Sequence, residues 1–371
     1  LETPIRPMNR RDIHYWKCDR PAAFHGTGPG SRPDQVPDET VHALLTDCFQ
    51  PASLALSRAP GQGNHLTWTA DIDGVPIFLR IENGPEGDTH LEIESAVLAE
   101  VARVGVPVPR VLGCDASRTR VPFAWQALER IPHPDLNHWW KAGLLDQNAV
   151  PFAIGENVAR WQGIRPEGFG PFDPGIWRQS GRLTGYHQAY GDYFRLRLDD
   201  HLGFLEARSF LSPERTDEIR SLIETHAHLL ELDHGVLVHK DLALWNILGP
   251  PDAVAAFIDF DDAISGDPMD DLSLLACFHD AAFLRRAFDG YTGVRPLPEN
   301  WPLRFWLHLL RNLIVKAVIR VGAGYFERDS GFFLIGNGGS GADLRRFTEE
   351  RIALAMRGLK EEAGLEIFEN R

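Results

Sequence analysis

The stretch HLTWTADIDGVPIFLRIE, residues 65–82, constrains the fold most. Two runs rich in β-branched and aromatic residues flank Asp73-Gly74, a pair suited to the positive φ angles of a two-residue hairpin turn. A sheet is therefore expected to grow from this hairpin, with SLALSR (53–58), GVPVPRVL (105–112) and PFAWQALE (122–129) as further extended segments. Between them, THLEIESAVLAEVARV (89–104) has helical spacing at Leu91, Val97, Leu98 and Val101. Another helix is expected from Asp38, with Val41, Leu44, Leu45 and Cys48 on its apolar face. From Ile131 onward the pattern changes to long helical stretches, notably 186–206 and 213–231, broken by the apolar and charged segment 236–262. The expected class is α+β in two lobes: an irregular arm over 1–37, a small antiparallel-sheet lobe over 38–130, and a larger, mostly helical lobe over 131–371. The arm contains HYWKCDRPAAFHG, which is too aromatic for a free tail. It is expected to pack on a lobe, in cis or across a dimer, which leaves the oligomeric state open.

Composition narrows the partners. A formal charge of −14 argues against nucleic acid, whose recognition needs a basic surface. The balance leans weakly towards a cationic small molecule, although most acidic surfaces serve solubility. Cys18, Cys48, Cys114 and Cys277 are far apart and form no CxxC pair, so neither a zinc ribbon nor a disulfide framework is suggested. No apolar run reaches the roughly 18 residues that span a bilayer, so no membrane partner is expected and a cytoplasmic location is the default.

The chemistry concentrates in VLVHKDLALWNIL, residues 236–248, where an apolar strand runs into His239, Lys240 and Asp241, with Asn246 five residues beyond the aspartate. An aspartate and an asparagine at that spacing can lie side by side at the end of one turn. The pair suits metal-assisted phosphoryl transfer: the carboxylate orients and deprotonates an acceptor hydroxyl, and the amide oxygen binds Mg²⁺. The turn Gly249-Pro250-Pro251 then returns the chain as AVAAFIDF, delivering Asp259 as a second hard oxygen ligand.

The ordered set HxDxxxxN, IDFDDA and GDPMDDLSLL resembles the aminoglycoside phosphotransferase and choline kinase family over about residues 54–290. The resemblance implies a two-lobed protein-kinase-like fold and an ATP- and Mg²⁺-dependent transfer to a hydroxyl of a small molecule. It implies Asp241 as catalytic base and Asn246 and Asp259 as metal ligands. His239 is expected to brace the loop, and Asp271 to accept its backbone N–H groups. Of Asp261 and Asp262, one is expected to face the metals or substrate and the other to be a solvated loop acid. On the nucleotide side, GQGNHLTW resembles the loop over the phosphates through Gly61, Gly63 and Asn64. Arg80 stands where many kinases carry the strand lysine, a departure from most aminoglycoside kinases that choline kinase-like members share, and arginine keeps the charge with a planar fork of donors. Glu94 matches its ion-pair partner, with Glu92 and Glu100 as alternatives. The backbone of Leu128 and Arg130 is expected to meet adenine. Lys240 is open between neutralising the transferring phosphate and pointing to solvent. The departure at Arg80 also leaves room for a catalytically silent kinase-like binding module.

Two other signals carry less. FFLIGNGGSGADLRRF contains GxGxxG at Gly336, Gly338 and Gly341, but a dinucleotide-binding half needs further parallel strands, and one helix follows instead. An interhelical loop is expected there. The aromatics of HWWKAG (138–143) and YGDYF (190–194) are expected in the core, with acceptor-pocket lining as the alternative.

Overall fold

The computed structural model describes residues 9–20, 36–59, 65–82, 86–328 and 339–368. The hairpin forms as expected: β2 (His65–Ile72) pairs antiparallel with β3 (Val75–Glu82), and Ile72 faces Val75 across Asp73 and Gly74. Both turn residues have positive φ, 53° and 83°, the combination that matches the twist of the flanking strands. With β1 (Leu54–Arg58), β4 (Val111–Asp115) and β5 (Trp125–Glu129) the order is β1-β2-β3-β5-β4, and every neighbouring pair is antiparallel.

Period-2 alternation gives the sheet two faces with different tasks. Trp68, Ile77, Leu79 and Ile81 pack with Val41, Leu44 and Leu45 of the helix Asp38–Phe49 in one apolar cluster. The other face presents Arg80 towards the helix His90–Arg103, whose Ile93 and Val97 join the main core. Arg80 is thereby fixed in the cleft by the same alternation that buries Leu79 and Ile81.

The remainder is mostly helical. The helix Trp301–Gly322 runs through its centre, buried on nearly all sides, and packs against Met269–Leu275 and Gly341–Glu361. Helices Ala149–Trp161 and Ala281–Thr292 approach so closely that a Cβ on Gly155 would lie 1.7 Å from the Ala287 carbonyl oxygen. A small sheet orders Gly185–His187, Phe169–Phe172, Ile264–Gly266 and Val236–Val238, and so carries the strand that enters the HKD segment. The expected helical stretch 186–206 is instead the end of a strand followed by helices Tyr190–Arg195 and Leu198–Ala207, because Arg197 takes a left-handed conformation (φ 59°) between them. No helix among the described residues is long and apolar enough to cross a membrane.

Candidate active site

Strand Val236–Val238 is fully buried and ends at a turn where Lys240 adopts φ 67°. Left-handed backbone costs a side-chain-bearing residue about 1–2 kcal/mol, so neighbouring contacts must hold it. They come from Asp271, at the start of the helix Met269–Leu275, which accepts from the backbone N–H of His239 at 3.0 Å and of Lys240 at 3.1 Å, and from Trp161 Nε1 at 3.0 Å. His239 Nε2 donates to the Ile258 carbonyl at 3.0 Å, and its Nδ1 accepts the Asp241 N–H at 3.3 Å. Burial holds this imidazole below its ordinary pKa, in keeping with the neutral tautomer these bonds require. Lys240 takes neither expected direction: its ammonium turns inward to Asp270 (2.7 Å) and Asn312 (3.2 Å). The left-handed turn aims the side chain at the helix Trp301–Gly322 and away from the cleft.

Beyond the turn, Leu242, Leu244 and Ile247 are buried anchors. Asn246 Nδ2 donates to the Asp241 carbonyl at 2.8 Å and to Asp241 Oδ2 at 3.0 Å. The Ile258 N–H bonds to the Asn246 carbonyl at 3.0 Å, which places Asp259 beside the loop. Asp241, Asn246 and Asp259, eighteen residues apart in sequence from first to last, therefore converge. Arg80 joins them from the sheet: Nη1 meets both Glu94 oxygens at 2.5 and 2.6 Å, and Nη2 meets Asp259 Oδ1 at 2.8 Å and His65 Nδ1 at 3.0 Å. Of the three candidate glutamates, Glu94 thus makes the pair; Glu92 binds Arg178 and Glu100 binds Arg103. Burial opposes the charge on Arg80, but Glu94 and Asp259 more than offset this and hold it protonated. His65 is pushed down to about 3 by burial and the neighbouring guanidinium.

Neither Asp261 nor Asp262 is a solvated acid. Both are buried, and Arg10 reaches Asp261 Oδ1 at 2.9 Å and its carbonyl at 2.6 Å, with Asp262 Oδ1 at 3.8 Å. The Trp16 N–H donates to Asp262 Oδ1 at 3.3 Å. The arm thus packs into the cleft, and residues unforeseen as site residues meet Asp241 directly. Tyr15 Oη donates to Asp241 Oδ1 at 2.5 Å, and Lys17 Nζ contacts Asp241 Oδ2 and lies 3.5 Å from Asp259 Oδ2. Lys316, from the helix Trp301–Gly322, adds a bond to Asp241 Oδ1 at 3.1 Å. Burial alone would raise the Asp241 pKa, but the Lys17 and Lys316 ammonium groups hold it well below the carboxylate range. Asp259 is likewise lowered to about 2, against its burial, by Lys17 and Arg80.

The glycine loop at Gly61, Gly63 and Asn64 lies outside the described residues, as do Gly336 and Gly338; Gly341 begins the helix Gly341–Glu361. Leu128 is buried within β5, and the Arg130 N–H is bonded to the Pro76 carbonyl at 3.1 Å. Tyr190, Tyr193 and Phe194 are core residues, whereas Trp140 lines a cavity of about 840 Å³ with Phe278, His279 and Arg351. Phe278 also stacks edge-on against Trp245 of the HKD loop, at 4.9 Å between ring centroids.

A family model described as the phosphotransferase enzyme family matches residues 57–303, spanning both the Arg80 sheet and the Asp241 loop. The chain belongs to that family. No curated protein matches it in sequence. Among solved structures, aminoglycoside phosphotransferase APH(4)-Ia is 16% identical with a TM-score of 0.59, covering 86% of this chain and 99% of its own. A thermostable mutant of that enzyme in ternary complex with AMP-PNP and hygromycin B is 18% identical with a TM-score of 0.58, over 86% of this chain and 98% of that one. A choline/ethanolamine kinase family protein from Mesorhizobium loti is 17% identical with a TM-score of 0.53, over 87% and 95%. This phosphotransferase therefore has the two-lobed protein-kinase-like fold shared by those structures.

Proposed function

We propose that the chain is an ATP- and Mg²⁺-dependent phosphotransferase acting on a hydroxyl of a small molecule. The observation that carries this reading is the convergence of Asp241, Asn246 and Asp259 on the far side of the cleft from the Arg80–Glu94 pair, with Arg80 bridging to Asp259. Asn246 and Asp259 fit a hard divalent cation. The amide nitrogen of Asn246 is spent on Asp241, leaving its oxygen as the ligand atom, and the Asp259 carboxylate already attracts the Lys17 ammonium. Bound there, Mg²⁺ would offset charge on the transferring phosphoryl group. Arg80, fixed by Glu94, would hold nucleotide phosphate as a preorganised guanidinium. Asp241 would orient the acceptor hydroxyl and take its proton, while His239 and Asp271 keep the loop in place. The cavity lined by Trp140 and Phe278 falls in the size range of small-molecule sites and is the proposed entry for the acceptor.

The test is ADP release stimulated by a panel of hydroxylated metabolites and antibiotics, among them aminoglycosides, amino alcohols, sugars and nucleosides. A catalytically silent module is the second reading, favoured by one observation: both Asp241 oxygens are already engaged by Tyr15, Lys17, Lys316 and Asn246. Such a module would bind nucleotide yet give no Mg²⁺-dependent ADP release with any acceptor.

A further inference from the structure

We propose that residues 10–19 are a tethered inhibitor of this site. The Tyr15 hydroxyl stands in for the acceptor hydroxyl on Asp241, and the Lys17 ammonium stands in for the divalent cation beside Asp259. The proposal rests on the reading of Asp241 and Asp259 given above.

The segment is docked at both ends, and each anchor centres on a buried side chain, Arg10 at one and Asp19 at the other. At one end Arg10 binds Asp88 (Nη2 to Oδ2, 2.5 Å), just before the helix His90–Arg103, and Asp261, just after Asp259. Its guanidinium also lies 4.2 Å over the Trp16 ring. At the other end Asp19 accepts from the backbone N–H groups of His14 and Tyr15 at 3.0 Å each, closing a single turn that points Tyr15 and Lys17 into the cleft. The second Asp19 oxygen meets His201 Nε2 at 2.6 Å. Arg311 donates to His201 Nδ1 at 3.1 Å, so the proton lies on Nε2 and is given to Asp19. Cys18, Asp19 and His201 are close enough to hold a metal ion, but the Arg311 guanidinium on the same imidazole disfavours a further cation. The trio is better explained as a hook that fixes the turn. Tyr193 adds a hydroxyl bond to the His14 carbonyl at 2.8 Å and stacks on the His14 ring at 4.9 Å.

The chemistry at Asp241 is that of an occupied site. Oδ1 accepts from Tyr15 and Lys316, and Oδ2 from Asn246 and Lys17. A carboxylate with every acceptor direction filled and two ammonium groups against it cannot take a proton from an incoming hydroxyl. Asn246 belongs to the loop itself and Lys316 to a buried helix, so the donors that can leave are those of the turn at 15–17. The Lys17 side chain is 29% exposed, although its ammonium touches an almost wholly buried carboxylate; it reaches the site from the solvent side. Release of the turn would free one position on each Asp241 oxygen and Oδ2 of Asp259 together. Those are the positions a hydroxyl acceptor and a cation need.

The experiment compares the full chain with its Tyr15→Phe/Lys17→Gln double variant and with Tyr15→Phe alone. Mn²⁺ in the presence of ADP serves as the spectroscopic binding probe, and ADP release over the acceptor panel as the turnover probe. If the docked turn is the dominant state, the double variant should bind Mn²⁺–ADP about tenfold or more tightly than the unaltered chain. Tyr15→Phe, which keeps Lys17 on the cation position, should change that affinity and acceptor-dependent turnover far less than the double variant does. Equal or weaker Mn²⁺–ADP binding by the double variant would overturn the proposal, since Lys17 would then be neutral towards, or part of, the nucleotide site. Phosphate found on Tyr15 after incubation with ATP would also overturn it, by making the turn a substrate. Tighter Mn²⁺–ADP binding without ADP release from any variant would support the occupied site while refuting the phosphotransferase reading. Acceptor-stimulated ADP release at the same rate in all three proteins, with unchanged Mn²⁺–ADP binding, would do the reverse.

Discussion

Beside the Lys316 ammonium of a buried helix, the loop and the arm both hold Asp241, and those two do so with different chemistry. From the loop and its support come buried donors and braces at short range: the neutral Asn246 amide and His239 imidazole, and the Asp271 carboxylate, which fixes two backbone N–H groups from the neighbouring helix. From the arm come Tyr15 and Lys17, more than two hundred residues away in sequence, one of them cationic and partly exposed. Neutral buried bonds are costly to break and set geometry permanently. An ion pair whose cation reaches in from solvent is more open to screening and to replacement by another cation than a neutral bond enclosed on both sides. The difference separates the frame of the site from its occupant.

The sharpest way to break that distinction is to remove the charge both regions share. In Asp241→Asn, turnover with any acceptor found should fall by roughly 10²–10⁴-fold, the usual worth of a general base, while the loop keeps its shape. The arm should loosen, because the Lys17 ammonium loses its closest carboxylate. Hydrogen exchange at the backbone N–H groups of residues 14–19 would report this, and unchanged turnover would sink the role given to Asp241.

Next in size is a change confined to the frame. Asp271→Ala leaves the N–H groups of His239 and Lys240 and the Trp161 indole without their acceptor in a dry interior, a loss of about 3 kcal/mol or more. Urea unfolding measures it directly. A stability change below about 1 kcal/mol would mean that the loop finds other partners and that the frame is less fixed than the bonds imply.

The frame was readable from one local spacing and from the family resemblance together. HxDxxxxN brought His239, Asp241 and Asn246 to one turn, while Arg80, Glu94 and Asp271 were offered by the resemblance, and the structure joins Arg80 to Glu94 and Asp271 to the loop. The occupant could not be read that way. Its aromatic content signalled packing, but no periodicity links Tyr15 or Lys17 to Asp241, and Lys316 lies on a helix whose pattern speaks only of burial. The expectation that one of Asp261 and Asp262 is a solvated acid fails for the same reason, since their partner Arg10 lies some 250 residues upstream. Lys240 was misjudged because a left-handed turn, invisible in spacing, reverses the side chain's direction.

A smaller effect separates the two regions by nucleotide affinity. In Arg80→Lys the charge facing Asp259 is kept, but one ammonium cannot reproduce the fork that spans Glu94 and Asp259. Nucleotide affinity should fall by about tenfold, or roughly 1.4 kcal/mol, with the arm still docked. Titration with ADP and Mn²⁺ would show it, and full affinity would mean that charge alone suffices at this position.

The smallest expected signal lies in the acid limb of stability. Asp259 is lowered to about 2 in the folded chain, from near 4 when unfolded, by Lys17 and Arg80 acting against burial. A depressed carboxylate contributes stability that is complete above its unfolded pKa and is lost as pH falls through its folded pKa. Here the window runs from about pH 4 down to about pH 2 and amounts to about 2 kcal/mol at most, reduced because the Asp259 side chain is 28% exposed. In Lys17→Gln the depression should shrink, leaving Arg80 as the main cation on Asp259, so the variant should lose less stability than the unaltered chain over that window. Urea midpoints between pH 2 and 5 for the two proteins give the difference; carboxylates that Lys17 does not touch cancel in the subtraction, whereas Asp241, which it does touch, contributes beside Asp259. Parallel curves would place Lys17 away from both carboxylates in solution and dissolve the division between frame and occupant; a divergence over this window would tie the occupant to the Asp241 and Asp259 carboxylates that the proposed acceptor and cation need.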